Sequence, residues 1–451
     1  MELPVQQFRT KAEQAYLDMF DAARAALPGA RDPFVAGLRD KAIEAYGRLG
    51  LPHRRIEAWK YTDLRSLLGE IHPLIRAAGL PIDATDVKRA LGAGLAALPA
   101  FRLFIVEGEL RVDLSDLAAL KAAGVEVVSL TEALEKPADW LNQALGAVNA
   151  RPDDAVVALN TALMTGGVAL RIGEGVTLDE AIHVIHLDGT GEPASIFTRS
   201  LVLAEPSSAA TLIESHASLG RLRGLQRNAV TELRVGTKAA IDHIKIEREG
   251  DDTVHLGTAL VEIGTDARYN AFQFSTGAAL VRNQTFARFS GEGSSLDISG
   301  ALLMRNRQHC DTTLLVEHAV PRCTSRELFK GVLDSEARGI FQGKIIVAPD
   351  AQKTDGKQMA QALLLSETAE FDSKPELEIF ADDVVCGHGS TSGQIDEDLL
   401  FYLEARGIPE DEARALLIQA FVGEALDRIE HENLREALAA SSAEWLGARP
   451  E

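Results

Sequence analysis

From about Val156 to Gly393 the chain is a long succession of short β-type runs separated by Gly, Asp, Asn and Ser, with few segments long enough to be a helix. Val168 to Ile172, Ile182 to Leu187, Val230 to Val235, Ile241 to Ile246 and Leu377 to Phe380 alternate as half-buried strands do. So many short strands without intervening helices leave a sandwich, a large barrel or a stacked β-solenoid. Periodicity does not choose among these, and no clean repeat unit stands out.

Helical spacing frames this stretch. Phe8, Ala12, Ala15, Tyr16 and Met19, then Phe34, Leu38, Ala42 and Tyr46, recur at the period of an amphipathic helix, broken by Pro28-Gly29 and Pro33. Phe101 to Val106 reads as a strand with a turn after it, followed by helical stretches. After Gly393 the helical period returns: Gly407 and Pro409 mark a stop and a start. Leu416, Leu417, Ala420, Phe421, Ala425, Leu426 and Ile429 then make an apolar stripe.

The 451 residues carry 67 Asp plus Glu against 46 Lys plus Arg, a net charge of -21, so the chain repels nucleic acid phosphates and disfavours anionic membranes. The start lacks a basic end followed by an apolar stretch, and no run approaches the roughly 20 apolar residues of a membrane span. The expectation is a cytoplasmic protein. Arg54 to Thr62 combines cations with Trp59 and Tyr61, but on so acidic a chain it reads as a packed aromatic cluster, with Thr62-Asp63 capping the next segment.

Nucleotide-hydrolysing motifs are missing: there is no G-x-x-x-x-G-K-[ST], so the chain is not expected to hydrolyse ATP itself. Gly389-Ser-Thr-Ser-Gly393 imitates a hydrolase elbow, but Thr391 stands where the nucleophilic serine belongs. The three cysteines, Cys310, Cys323 and Cys386, are too few and too far apart for a disulfide framework or a self-contained Cys₄ metal site.

Cys386-Gly387-His388 is the one constellation with ligand spacing. On an extended backbone residues i and i+2 share a face, so thiolate and imidazole can address one ion or sulfur species, and the flanking glycines leave room for another backbone. Spacing alone describes a packed cysteine beside a hydrogen-bonded histidine at least as well. Two ligands do not complete a site, so a functional pair needs donors from a partner chain. His309-Cys310, His318 with Cys323, and His183 with His186 read as packing or surface residues, because their spacing sets the members on opposite faces or across a turn.

Cys386 to Asp396 with Leu400 to Ile408, Ser325 to Leu333, Ala337 to Ile345 and Ala351 to Gly356 resemble the C-terminal half of the SufB/SufD family, scaffold subunits of iron–sulfur cluster assembly. Arg54 to Thr62 and Phe101 to Gly108 resemble its N-terminal elements. The residue after His388 is Gly389, not the glutamate typical of the SufB branch, which points to the SufD branch.

The resemblance implies a mainly β fold: a right-handed parallel β-helix core over 153–393, an N-terminal helical domain over 1–98, a small α/β connecting region over 99–152, and a C-terminal helical domain over 394–451. It also implies a non-catalytic scaffold that pairs with a SufB-type subunit, or with a second copy of itself. A SufC-type ABC ATPase would then supply the ATP hydrolysis and dock on the last helices, where Leu416, Leu417 and Phe421 are the candidates. His388, with Cys386 beside it, matches the family position at the interface of the two scaffolds, where iron or a nascent cluster is handled transiently; no stably bound cofactor is expected. A catalytically silent lever subunit of the same complex and, more distantly, a β-helix polysaccharide enzyme are the competing expectations.

Overall fold

The structure, a computed structural model, describes residues 9–75, 79–189, 191–220 and 224–447, so Phe8 lies outside the described residues. Among these residues the β runs form two long sheets, one of 10 strands and one of nine. Within each sheet almost every strand pairs in parallel with the strand two places along the chain: Arg268–Ser275 lies between Ala240–Arg248 and Ser295–Met304, while Val254–Ile263 lies between Leu225–Val235 and Leu280–Phe289. Successive strands thus alternate between the sheets and the chain winds as a parallel β-solenoid, which resolves the choice that periodicity left open.

The winding explains why no repeat is readable. The coil that brings Arg268 to its register partner Ser295 is shorter than the coil that brings Thr324 to Asp355. The corners absorb the difference. Several hold a residue in the left-handed region, such as Asp266 (φ 52°), Asn306 (φ 58°) and Ser335 (φ 58°). Asp and Asn tolerate that conformation because their short polar side chains bond locally.

Alternation in each strand sends one set of side chains between the sheets. Leu103, Ile105, Leu170, Leu233, Val261, Tyr269, Ile298, Phe329 and Phe341 belong to this continuous core. The first coil is closed off: Glu109–Leu110 and Val125–Ser129 add antiparallel strands at the edges, and Leu120 and Val125 join the core behind them. Among the described residues the last coil has no such cover. Glu370–Ile379 and Val385–Gly393 are the outermost strands of their sheets, and few of their side chains are buried.

Helices cover the outer faces. Lys11–Ala23 starts in a Thr10/Glu13 capping box and Pro33–Leu49 starts on Asp32; they pack Tyr16, Phe20 and Tyr46 against the Ala155–Leu163 helix and against Phe197, Leu256 and Leu280 of the nine-stranded sheet. Trp59 is buried, with the Arg282 guanidinium 3.7 Å from its ring centroid. Asp63 caps the following Leu64–Leu67 helix, whereas Thr62, expected to share that role, bonds Asp311 and His309 of the solenoid.

On the 10-stranded sheet, the Glu410–Leu426 and Glu432–Gly447 helices bury Ile418, Val422, Ala425, Leu438 and Trp445 over Ile185, Ile213, Ile244, Phe272 and Phe274. Each such aliphatic side chain contributes about 1.5–3 kcal/mol on burial, enough to hold both helices in place. Among the described residues no helix is long and apolar enough to cross a membrane.

Candidate functional site at the uncovered end of the solenoid

Val385–Gly393 carries both residues of the Cys-x-His pair on its inward-facing alternation. Cys386 registers with Gly356, which registers with Ser325; His388 registers with Gln358, which registers with Glu327. Ser325, Gln358 and Glu327 are buried between the sheets, so the pair crowns two interior ladders at the point where the interior opens to solvent. The glycines fall on the other face. A Cβ on Gly389 would stand 2.6 Å from Met359 Cε, so glycine lets the Met359 side chain cross the strand; a Cβ on Gly387 would meet nothing.

Cys386 is half-buried, and burial pushes its thiol up from its ordinary value, with Asp355 adding to the effect. In the isolated chain it is therefore a protonated thiol, and a bound cation or a partner's positive charge is what would ionise it. His388 is exposed, its backbone is in the ladder with Asp355–Leu364, and its imidazole makes no hydrogen bond to any described residue. The two side chains are adjacent, uncommitted and incomplete as a ligand set.

Two interior residues below them were not singled out in the sequence. Gln358 donates to the Glu376 carbonyl at 3.3 Å and leaves its Oε1 unbonded. Glu327 is 3% exposed with both carboxylate oxygens unbonded; burial, with Asp297 nearby, pushes it up to about 8, so it is a neutral acid at physiological pH. Only the register reveals them: Glu327, Gln358 and His388 are each separated from the next by a full coil of chain, and nothing local marks them as neighbours. On the strands' flank a groove of about 430 Å³ runs past Arg326, Lys357, Met359, Val385 and Arg428.

The other candidates separate as their spacing implied. Cys310 is buried in an apolar cluster while His309 points to Thr62; His318 bonds Ser325, and Cys323 sits against the Gly291 carbonyl. His183 and His186 do face opposite ways, His183 to Ser215 and His186 into the interior.

The helical candidates are arranged differently from the stripe read in the sequence. Ile418, Val422 and Ala425 face the solenoid, Leu417 and Phe421 are half-buried, and Phe421 lies under the Lys330 ammonium at 4.3 Å. Leu416 stays exposed. Beside it the Glu397–Glu404 helix exposes Leu399, Phe401 and Tyr402, Phe401 at 70%. An apolar surface therefore remains on the side of these helices that does not pack on the sheet.

Comparison with known proteins decides the family. The chain matches "SUF system FeS cluster assembly, SufBD core domain" over residues 186–421, and "SufBD protein N-terminal region" over residues 10–184. It belongs to the SufBD family. Similar full-length members include the iron-sulfur cluster assembly protein SufD of Escherichia coli, 32% identical over 89% of this chain and 91% of that one. A SufBD family protein of Synechocystis is 31% identical over 90% of each chain, and SufD of Bacillus subtilis 24% identical over 95% of this chain and 97% of that one. SufBD membership makes this solenoid a component of the SUF system of iron–sulfur cluster assembly.

Proposed function

We propose that the chain is the SufD-type scaffold subunit of the SUF complex, and that its uncovered solenoid end joins a SufB-type subunit to form the place where iron or a nascent cluster is handled. The observation that carries this reading is the coincidence of the Cys386/His388 pair with the bare edges of both sheets. Unpaired edge strands offer rows of N–H and C=O groups to another chain, and a homologous solenoid is the partner whose strands continue both ladders at once. Phe380 and Val385, 63% and 61% exposed, supply apolar area at that edge.

Within this joint, His388 contributes an imidazole nitrogen to the cargo. Cys386 adds a sulfur donor once a cation lowers its pKa, and the remaining donors come from the partner. The chain does no chemistry on ATP; an ABC ATPase of the SufC type docks on Leu399, Phe401, Tyr402 and Leu416, the apolar residues the terminal helices leave uncovered. The work is done away from membranes, in the cytoplasm.

His388→Ala, expressed with its partners, tests the ligand role. The complex should assemble normally, with iron and sulfide in the isolated complex and maturation of client proteins both sharply reduced. Normal iron, sulfide and client maturation in an intact complex would remove His388 from cluster handling and leave the silent-lever reading.

A further inference from the structure

A second group of potential ligands lies deep in the early coils, walled in by both sheets and remote in register from His388. His186 and His216 are in register on neighbouring strands, their rings stacked with centroids 4.3 Å apart; Glu214 is two residues before His216 on the same face. Glu214 Oε1 is 3.0 Å from His216 Nε2 and 3.8 Å from His186 Nε2. These separations bracket the roughly 3.3–3.6 Å between donors that share a tetrahedral ion at about 2.0–2.2 Å. All three residues are buried.

Two further observations point to a ligand. His186, 1% exposed, has neither ring nitrogen hydrogen-bonded, and His216 Nδ1 is also unbonded. Buried polar atoms are rarely left so, and an imidazole with both nitrogens unbonded, beside a carboxylate, is a donor without an acceptor for its lone pair. Among the described residues Glu214 also has no Arg or Lys partner: its charge contacts are the imidazoles of His186, His216 and His243.

The support around the carboxylate suits a site of this kind. The other oxygen of Glu214 is held by Thr231 Oγ1 at 3.1 Å and His243 Nε2 at 3.3 Å, and His243 is held in turn by the Tyr269 hydroxyl at 3.1 Å. That leaves Oε1 oriented toward the two imidazoles, an outer-shell arrangement typical of metal ligands. Glu249 and His255 form a neighbouring buried group with His216.

We infer that His186, Glu214 and His216 hold a divalent transition-metal ion inside the solenoid. Two imidazoles and one carboxylate suit Zn²⁺, Co²⁺ or Fe²⁺ rather than Mg²⁺ or Ca²⁺, which favour all-oxygen shells. Because the group is closed on all sides, the ion enters as the coils close. It is a structural component distinct from any cargo at the uncovered end.

The test is to unfold the full-length chain, refold it with Co²⁺, remove loosely held metal, and measure metal content and the visible spectrum. One Co²⁺ per chain with the intense bands of a four-coordinate N/O site is expected, unchanged in His388→Ala and reduced at least tenfold in His186→Gln. Absence of tightly held Co²⁺ overturns the inference, as does retention in His186→Gln or loss in His388→Ala. Should His186→Gln not refold, X-ray absorption on the wild-type Co²⁺ protein decides: backscattering from two imidazoles supports the site, and a shell without imidazole overturns it.

Discussion

The two ends of the solenoid are built from the same strand geometry and finished in opposite ways. At the first coil, antiparallel strands and the Leu117–Ala122 helix cover the interior, and the polar residues beneath them are buried. At the last coil both sheets stop at bare edges, and the inward alternation ends on Cys386 and His388 with solvent above them. Stacked coils contact only their neighbours, so an uncovered terminal coil forgoes half of its contacts. Stability is therefore concentrated at the covered end, and the uncovered end is free to be an interface.

Substitutions separate these roles. The largest effect is expected inside the covered end, where Arg227 is buried between Asp188 and Glu249. Arg227→Met strands two buried carboxylates and should cost about 3–5 kcal/mol of unfolding free energy in urea titrations. A loss below about 1 kcal/mol would mean that the interior is wetter than its burial indicates.

Glu327 probes the transition between the ends. Its folded-state pKa of about 8 lies above the ~4.3 of an unfolded glutamate, so folding favours the protonated form. Stability is then unaffected below about pH 4, falls as pH rises through the interval up to about 8, and levels off above it. Glu327→Gln should remove this slope and be more stable than wild type at pH 8 by an amount on the order of a few kcal/mol. Equal slopes in the two proteins would show that Glu327 is not held neutral.

Ile418→Ala should cost about 2–4 kcal/mol by opening a cavity under the Glu410–Leu426 helix. Phe401→Ala, on the solvent side of the neighbouring helix, should stay within about 0.5 kcal/mol while weakening ATPase capture from the complex. The smallest change in the isolated chain belongs to Val385→Ser, again within about 0.5 kcal/mol, yet it should impair pairing with the SufB-type subunit by size-exclusion analysis. A Val385→Ser chain that pairs normally would place the joint elsewhere.

The contrast between the ends also sets what the sequence could disclose. Cys386 and His388 sit two residues apart, so their shared face is local information, and the alternation of the strands and the capped starts of the first helices are equally local. Glu214 and His186 meet only because a whole coil of chain returns to the same register, and the length of a coil varies with every corner. His186 consequently read as packing. The apolar stripe from Leu416 to Ile429 was legible as apolar but not as to which side faces inward. Ile418 and Val422 face the sheet while Leu416, two residues before Ile418, faces out, and only the docked helix distinguishes them.

The uneven coils have an evolutionary consequence. Because corners lengthen or shorten without moving the ladders, insertions and deletions can accumulate there while the strands on either side keep their pairing. A chain of this fold can thus drift in length and still end on the same two sheet edges.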